Sequence, residues 1–241
     1  MLVLSDKMTL NAMTIMVEEL GTLFESVSSL SAGIEDFSRA ILDDNCLARA
    51  TFSARKKAMM YLKRLYLLDP SQPLYRLFRR LWTTRPDARP LLALQFAWVN
   101  DSLVRDSAEY FLSLHPGDSI TPEATAEWLR LKRGDRHSEK CARSISRNLN
   151  SSWYQAGFID GIATRTRKTV VPQVENVVFA LYLGVESGLS GHSLFTSPMA
   201  ALLDSSESSL VALAEIAARQ GLLRFKHIGD VMEVSFDGGM A

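Results

Sequence analysis

The stretch Ser138-Glu-Lys-Cys-Ala-Arg-Ser-Ile-Ser-Arg-Asn-Leu-Asn-Ser-Ser-Trp-Tyr-Gln-Ala156, followed at once by Gly157-Phe158-Ile159-Asp160-Gly161-Ile162, decides how the chain reads. Cys141, Ile145, Leu149 and Trp153 recur every fourth residue, with Ser152 and Ala156 beside them, so one face of a helix is apolar. Lys140, Arg143, Ser144, Arg147, Asn148 and Ser151 fall on the opposite face. Gly157 ends the helix. Phe158–Ile162 reads as a strand turning at Asp160-Gly161, and Thr164–Val171 returns carrying Arg165, Arg167 and Lys168. A helix with an apolar underside and a basic, amide-bearing top, closed by a basic hairpin, predicts a winged helix-turn-helix-like unit over 138–172. In such a unit the helix enters the major groove of duplex DNA, where Arg and Asn can read guanine and adenine edges.

Working outward, the chain predicts more helices. Met8–Ser28 has apolar residues at helical spacing, Ile34–Leu42 follows, and Ser53–Leu68 repeats Ala54, Ala58, Tyr61, Leu62, Leu65 and Leu68 at threes and fours until Asp69-Pro70 stops it. Gln72–Trp82, Ala88–Asn100 and Asp101–Leu114 complete the front half. Thr121-Pro122-Glu123 opens a helix with a capping residue, a proline and an acid in order. Ser205–Gln220 is a helix ended by Gly221, and Leu222–Ile228, Gly229-Asp230 and Val231–Phe236 form a last hairpin. The expected fold is mainly α and multi-helical, with winged helix-turn-helix-like units and short β-hairpins. Two domains are expected. The N-terminal one spans 1–115 and includes the basic helix 53–68; the C-terminal one spans 116–241 and holds the winged unit and the hairpin 222–236. His115-Pro116-Gly117-Asp118 marks the boundary.

Across 241 residues, 27 basic residues face 27 acidic ones, which by itself argues against a polyanionic partner. The distribution argues otherwise. Arg49–Arg89 holds eleven basic residues and two acidic ones, and Leu129–Lys168 holds ten and three, so the remainder carries six basic and 22 acidic. Binding follows local potential rather than total charge, so two such blocks can attract a polyanion.

Enzymatic signatures are missing. The sequence has no phosphate loop, no Gly-x-Gly-x-x-Gly after a strand and no Gly-x-Ser-x-Gly, and its four histidines have no metal-ligand spacing. Asp101, Asp106 and Glu109 share a helix face and could serve a two-metal centre only if they converged in a cleft. Two cysteines suggest a reducing compartment. The apolar runs near Pro90–Val99 and Val177–Val185 are about half the ~20 residues of a membrane-spanning helix. No signal peptide is expected. The chain is therefore expected to be cytoplasmic, off the membrane and non-enzymatic, without metal or cofactor.

Several segments taken together carry a resemblance. They are Asp44-Asn45-Cys46-Leu47, Thr51-Phe52-Ser53-Ala54-Arg55, Tyr61-Leu62-Lys63-Arg64-Leu65-Tyr66 and Leu68-Asp69 in the front half. Behind them come Ser144–Asn148, Ser152-Trp153-Tyr154-Gln155-Ala156-Gly157, Leu183-Gly184, Leu194-Phe195-Thr196-Ser197 and Ala217-Ala218-Arg219-Gln220-Gly221-Leu222. In order and spacing they resemble the BrxA family of bacteriophage-exclusion (BREX) defence proteins, from about Gly33 to Phe236. The resemblance implies a small helical protein that binds double-stranded DNA alongside other proteins of a phage-defence system. By position only, it assigns DNA contacts to the basic helices.

The candidate DNA-binding residues are thus Arg55, Lys56, Lys63 and Arg64 on the first basic helix. Lys140, Arg143, Ser144, Arg147 and Asn148 follow on the second, with Arg165, Arg167 and Lys168 on the wing. The alternative is a scaffold within the defence complex whose basic helices grip an acidic partner protein.

Overall fold

The computed structural model describes residues 2–134, 138–229 and 231–236. Arg136, Asp135 and His137 of the second basic block, and Asp230 of the expected last turn, lie outside the described residues. The fold is mainly helical, with two short two-stranded antiparallel sheets. In chain order the helices of the front half are α1 (Val17–Ser26), α2 (Ile34–Leu42), α3 (Phe52–Tyr66), α4 (Pro73–Thr84), α5 (Arg89–Asn100) and α6 (Ser102–Ser113). Then come α7 (Pro122–Arg133), α8 (Glu139–Gln155), β1 (Ile159–Asp160) and β2 (Thr166–Arg167). The chain finishes with α9 (Val174–Glu186), α10 (Pro198–Ala201), α11 (Glu207–Arg219), β3 (Arg224–Ile228) and β4 (Val231–Ser235).

Side-chain caps set several starts. Thr51 accepts from the Ala54 N–H, Asp101 from those of Leu103 and Val104, Thr121 from Ala124, and Ser138 from Cys141. Helix α3 stops where Leu67 and Leu68 take positive φ of 62° and 54°, ahead of the expected Asp69-Pro70.

Three sequence expectations change. The single helix over Met8–Ser28 is instead a 3₁₀ turn at Thr9–Asn11, an irregular link and then α1, entered through Met16 at φ 53°. The reason lies in where the backbone bonds go. Ile15 N–H donates to Ser152 Oγ at 3.1 Å and Val17 N–H to Gln155 Oε1 at 3.1 Å, while Thr9 and Leu10 donate to Asp101. With these groups satisfied by distant side chains, the link has no need of helical partners. The first hairpin is shorter than expected: β1 and β2 hold two residues each, and residues 161–165 form a five-residue loop rather than a tight Asp-Gly turn. Finally, α9 was legible only as an apolar run. It is buried from Val174 to Gly184, and a helix covered on all sides shows no amphipathic period.

Helix α9 also bears on the expected division at 115/116. Phe179 stacks on Phe96 with centroids 5.8 Å apart and lies 5.9 Å from Phe78, and Gln95 Nε2 donates to the Asn176 carbonyl at 2.9 Å. One contiguous cluster of buried residues contains side chains from both halves, so no break in the core marks that boundary.

Candidate nucleic-acid interface

Helix α8 is fixed by its apolar side. Trp153 stacks on Phe111 of α6 at 4.7 Å, meets Phe158 edge-on at 4.7 Å, and donates from Nε1 to Ser107 Oγ at 2.9 Å. Ala142, Ile145 and Leu149 are buried on the same side. The flank bearing Asn148, Ser152 and Gln155 is taken by the N-terminal link. What remains open is a strip of Lys140, Arg143, Ser144, Arg147 and Tyr154.

Around it the chain runs α6, an extended segment, α7, α8, then the hairpin. Ser119 of the extended segment bridges Thr166 antiparallel, and Thr166 pairs on its other side with Asp160. Strand β2 therefore lies between Ser119 and β1. Backbone bonds from Gly117 N–H to the Arg167 carbonyl and from Ile120 N–H to the Arg165 carbonyl tie the hairpin to the start of α7. Helix α8 and the hairpin are thereby held side by side on one small support. They border a cleft of about 520 Å³ that includes Arg147, Ser151, Ile162 and Arg165.

The twelve expected contact residues separate by environment. Lys140, Ser144, Arg147 and Lys168 are exposed, and neither Lys140 nor Arg147 has an ion pair among the described residues. Arg143 is exposed and pairs with Glu139 one turn earlier at 2.8 Å, a contact of a few tenths of a kcal/mol that leaves it available. The Arg165 guanidinium lies 5.3 Å over the Tyr154 ring. Asn148 is half-buried, and its amide donates to the Leu10 carbonyl at 3.0 Å, which turns it toward the N-terminal link.

Arg167 departs most from expectation. It is 3% exposed, lies over the Phe158 ring, and donates to the Phe111 and Lys168 carbonyls and to Asp204 Oδ2. Alternation explains this. In a two-residue strand one side chain faces in, and here it is Arg167 rather than Thr166. It braces the hairpin from beneath and is not presented to a ligand.

On α3, Lys56, Lys63 and Arg64 are exposed. Lys56 lies 4.7 Å over the Phe52 ring, and Lys63 and Arg64 line a cleft of about 780 Å³ with Lys7 and Asp69. Hydrogen bonds from the Ser71 side chain and backbone hold the Asp69 carboxyl below its usual range, so that cleft contains a carboxylate as well as cations. Arg55 is half-buried and donates to the Leu42 carbonyl at 2.9 Å.

Acids from elsewhere in the chain reduce both basic blocks. Arg49 meets Glu19, Arg89 meets Glu25, Lys132 meets Glu109, and Arg133 meets Asp106. The last two pairs also separate the three acids considered for a metal centre. Asp101 is buried, with Oδ1 accepting from Leu103 and Val104 and Oδ2 from Thr9 and Leu10. Burial pushes its carboxyl up, and the backbone N–H groups oppose that rise. Among the described residues no group of three or more His, Cys, Asp or Glu is placed to hold a metal, and no helix is long and apolar enough to cross a membrane.

The expectations omitted Tyr154 and Asn150. Tyr154 is seven residues from Arg147, two helical turns along the same strip, so the spacing alone could have found it. Asn150 was legible only from structure, because its period places it on the buried side. No protein-family model matches the chain, and no curated protein matches it.

Proposed function

We propose that the chain is a non-enzymatic component of a bacterial phage-defence system of BREX type, and that it binds double-stranded DNA in the cytoplasm alongside other proteins of that system. The observation that carries the DNA-binding part is the open strip of α8, where Lys140, Arg143, Ser144 and Arg147 stand clear of the core beside a hairpin that adds Arg165 and Lys168. This is the arrangement in which a helix can enter the major groove while a wing follows the backbone. The defence context rests on the resemblance to the BrxA family.

The test is a mobility shift on duplex DNA over a range of salt. Five cations at the backbone predict a log–log salt slope of about −4.5, equivalent to a roughly 500-fold loss of affinity between 50 and 200 mM. Absence of retardation at low salt overturns the reading.

A scaffold role is favoured by a different observation. On the open strip Arg143 already holds the Glu139 carboxylate at 2.8 Å, and Lys63 and Arg64 share their cleft with Asp69, so both basic helices present cations beside carboxylates, as they would to an acidic partner protein. Charge reversal at Arg143 and Arg147 discriminates. If DNA binding persists while assembly with other defence proteins is lost, the scaffold reading replaces the first.

A further inference from the structure

The cleft between α8 and the first hairpin contains a polar group that the fold leaves unsatisfied. Asn150 is 1% exposed, and its Oδ1 accepts from Thr125 Oγ1 at 2.8 Å, while its Nδ2 has no hydrogen-bond partner. The orientation follows from Thr125. Its one hydroxyl hydrogen has two acceptors in reach, Asn150 Oδ1 at 2.8 Å and the Thr121 carbonyl at 3.1 Å, and the shorter contact takes it. Buried amide donors are almost always paired, so an orphaned one calls for a reason.

The surroundings supply one. Asn150 lines the 520 Å³ cleft together with Arg147, Ser151 and Arg165, and with the first turn of α7 from Thr121 to Glu123. Helix α7 is twelve residues long, and its start carries partial positive charge. Thr121 caps the Ala124 N–H and Pro122 has none, which leaves the Glu123 N–H as the donor of that turn. An orphan amide, a helix start and two guanidinium groups all supply donors, and donors in this number suit an anionic oxygen cluster. The Glu123 carboxylate sets the charge. Two arginines and one glutamate leave a surplus of one, which matches a singly charged phosphodiester better than a doubly charged phosphate monoester.

We infer that this cleft seats one backbone phosphodiester of the bound duplex against the Arg147 and Arg165 guanidinium groups and the Glu123 N–H, and that Asn150 Nδ2, closed to solvent in the free chain, is uncovered on binding to donate to a non-bridging oxygen. The inference rests on the DNA-binding reading and adds to it a specific anchor point between helix and wing. Ile162 at the loop tip is 94% exposed and lines the same cleft.

The full chain labelled uniformly with ¹³C and ¹⁵N makes this measurable, the Asn150 side-chain amide pair being assigned in the unaltered protein by its through-bond connectivity to its own backbone. Titration with duplex DNA is expected to shift that pair downfield in step with binding. Asn150→Asp keeps the acceptor to Thr125 and replaces the donor with a repelling oxygen. It is expected to weaken duplex binding roughly ten- to a hundredfold, the range for a hydrogen bond to a charged group. Should that variant fail to fold, the titration of the unaltered protein decides, together with the surface variant Arg165→Ala, expected to reduce the salt slope by about 0.9.

Duplex binding without movement of the Asn150 amide overturns the inference and leaves the DNA-binding reading standing. A shift produced by inorganic phosphate or a deoxynucleoside monophosphate but not by the duplex overturns the backbone assignment. Failure of the unaltered protein to bind duplex DNA overturns both.

Discussion

Arg167 Nη2 lies 2.9 Å from Asp204 Oδ2, joining the underside of the first hairpin to the turn between α10 and α11. The guanidinium is buried and also donates to the Phe111 carbonyl at 2.9 Å, so α6, the hairpin and the C-terminal helices meet at one side chain.

Removing Arg167 should therefore act on stability. Arg167→Ala is expected to lower the unfolding free energy by about 3 kcal/mol, the lower end of the range for breaking a buried pair. Denaturant titration reads this directly. A variant of unchanged stability with weakened DNA binding would instead return Arg167 to the interface.

Asp101 holds the N-terminal link through Thr9 and Leu10 and caps α6 through its other oxygen. Asp101→Asn puts an N–H₂ group against two of these donors. The expected loss is about 1–3 kcal/mol, the cost of leaving buried donors unpaired. Hydrogen exchange should show its largest gain at residues 9–17, where the bonds to Asp101 and to α8 are made. Uniform acceleration over the chain would contradict so local a role.

Gly161 opens the wing loop at φ 90°, and a Cβ there would stand 2.1 Å from the Thr164 carbonyl oxygen. No side chain fits without moving backbone. Gly161→Ala is expected to destabilise by about 1–3 kcal/mol and to displace the loop that follows it, whose residues 162–165 line the cleft beside α8. Amide chemical shifts confined to that loop and to Ser119–Thr121 would verify it.

Cys46 is half-buried. Burial raises its thiol above the ordinary value, and the neighbouring Asp44 carboxylate adds to the rise. The reactive thiolate is thus formed at higher pH than in free cysteine, whose midpoint is about 8.5. In a Cys141→Ser background, alkylation of Cys46 should be slow at neutral pH, and its rate should reach half-maximum above the free-cysteine midpoint. A midpoint at or below it would contradict the effect of burial.

The periodic helices were readable from local spacing. In α3, α4, α6, α7, α8 and α11 an apolar stripe and a polar remainder coexist in one segment, and capping residues such as Thr121 and Asp101 mark where the backbone must begin to turn. The open strip of α8 followed from the same rule. Helix α9 did not, because burial on every face erases the period, and the link before α1 did not, because its backbone partners are more than a hundred residues away.

By itself, then, the sequence determined a mainly helical chain and which side of α8 is basic, since both depend on residues three and four apart. Tertiary structure alone decided which cations remain open. Arg167, Arg133 and Arg49 meet carboxylates or carbonyls brought from distant segments, and Asn148 turns to Leu10, whereas Lys140 and Arg147 stay clear. It also placed the unpaired amide of Asn150 beside the wing, a juxtaposition between α8 and residues 161–165 that no local pattern encodes. The physical reason is range: helix periodicity is a property of neighbours, while the pairing of a charge depends on whatever the fold carries to within a few ångströms of it.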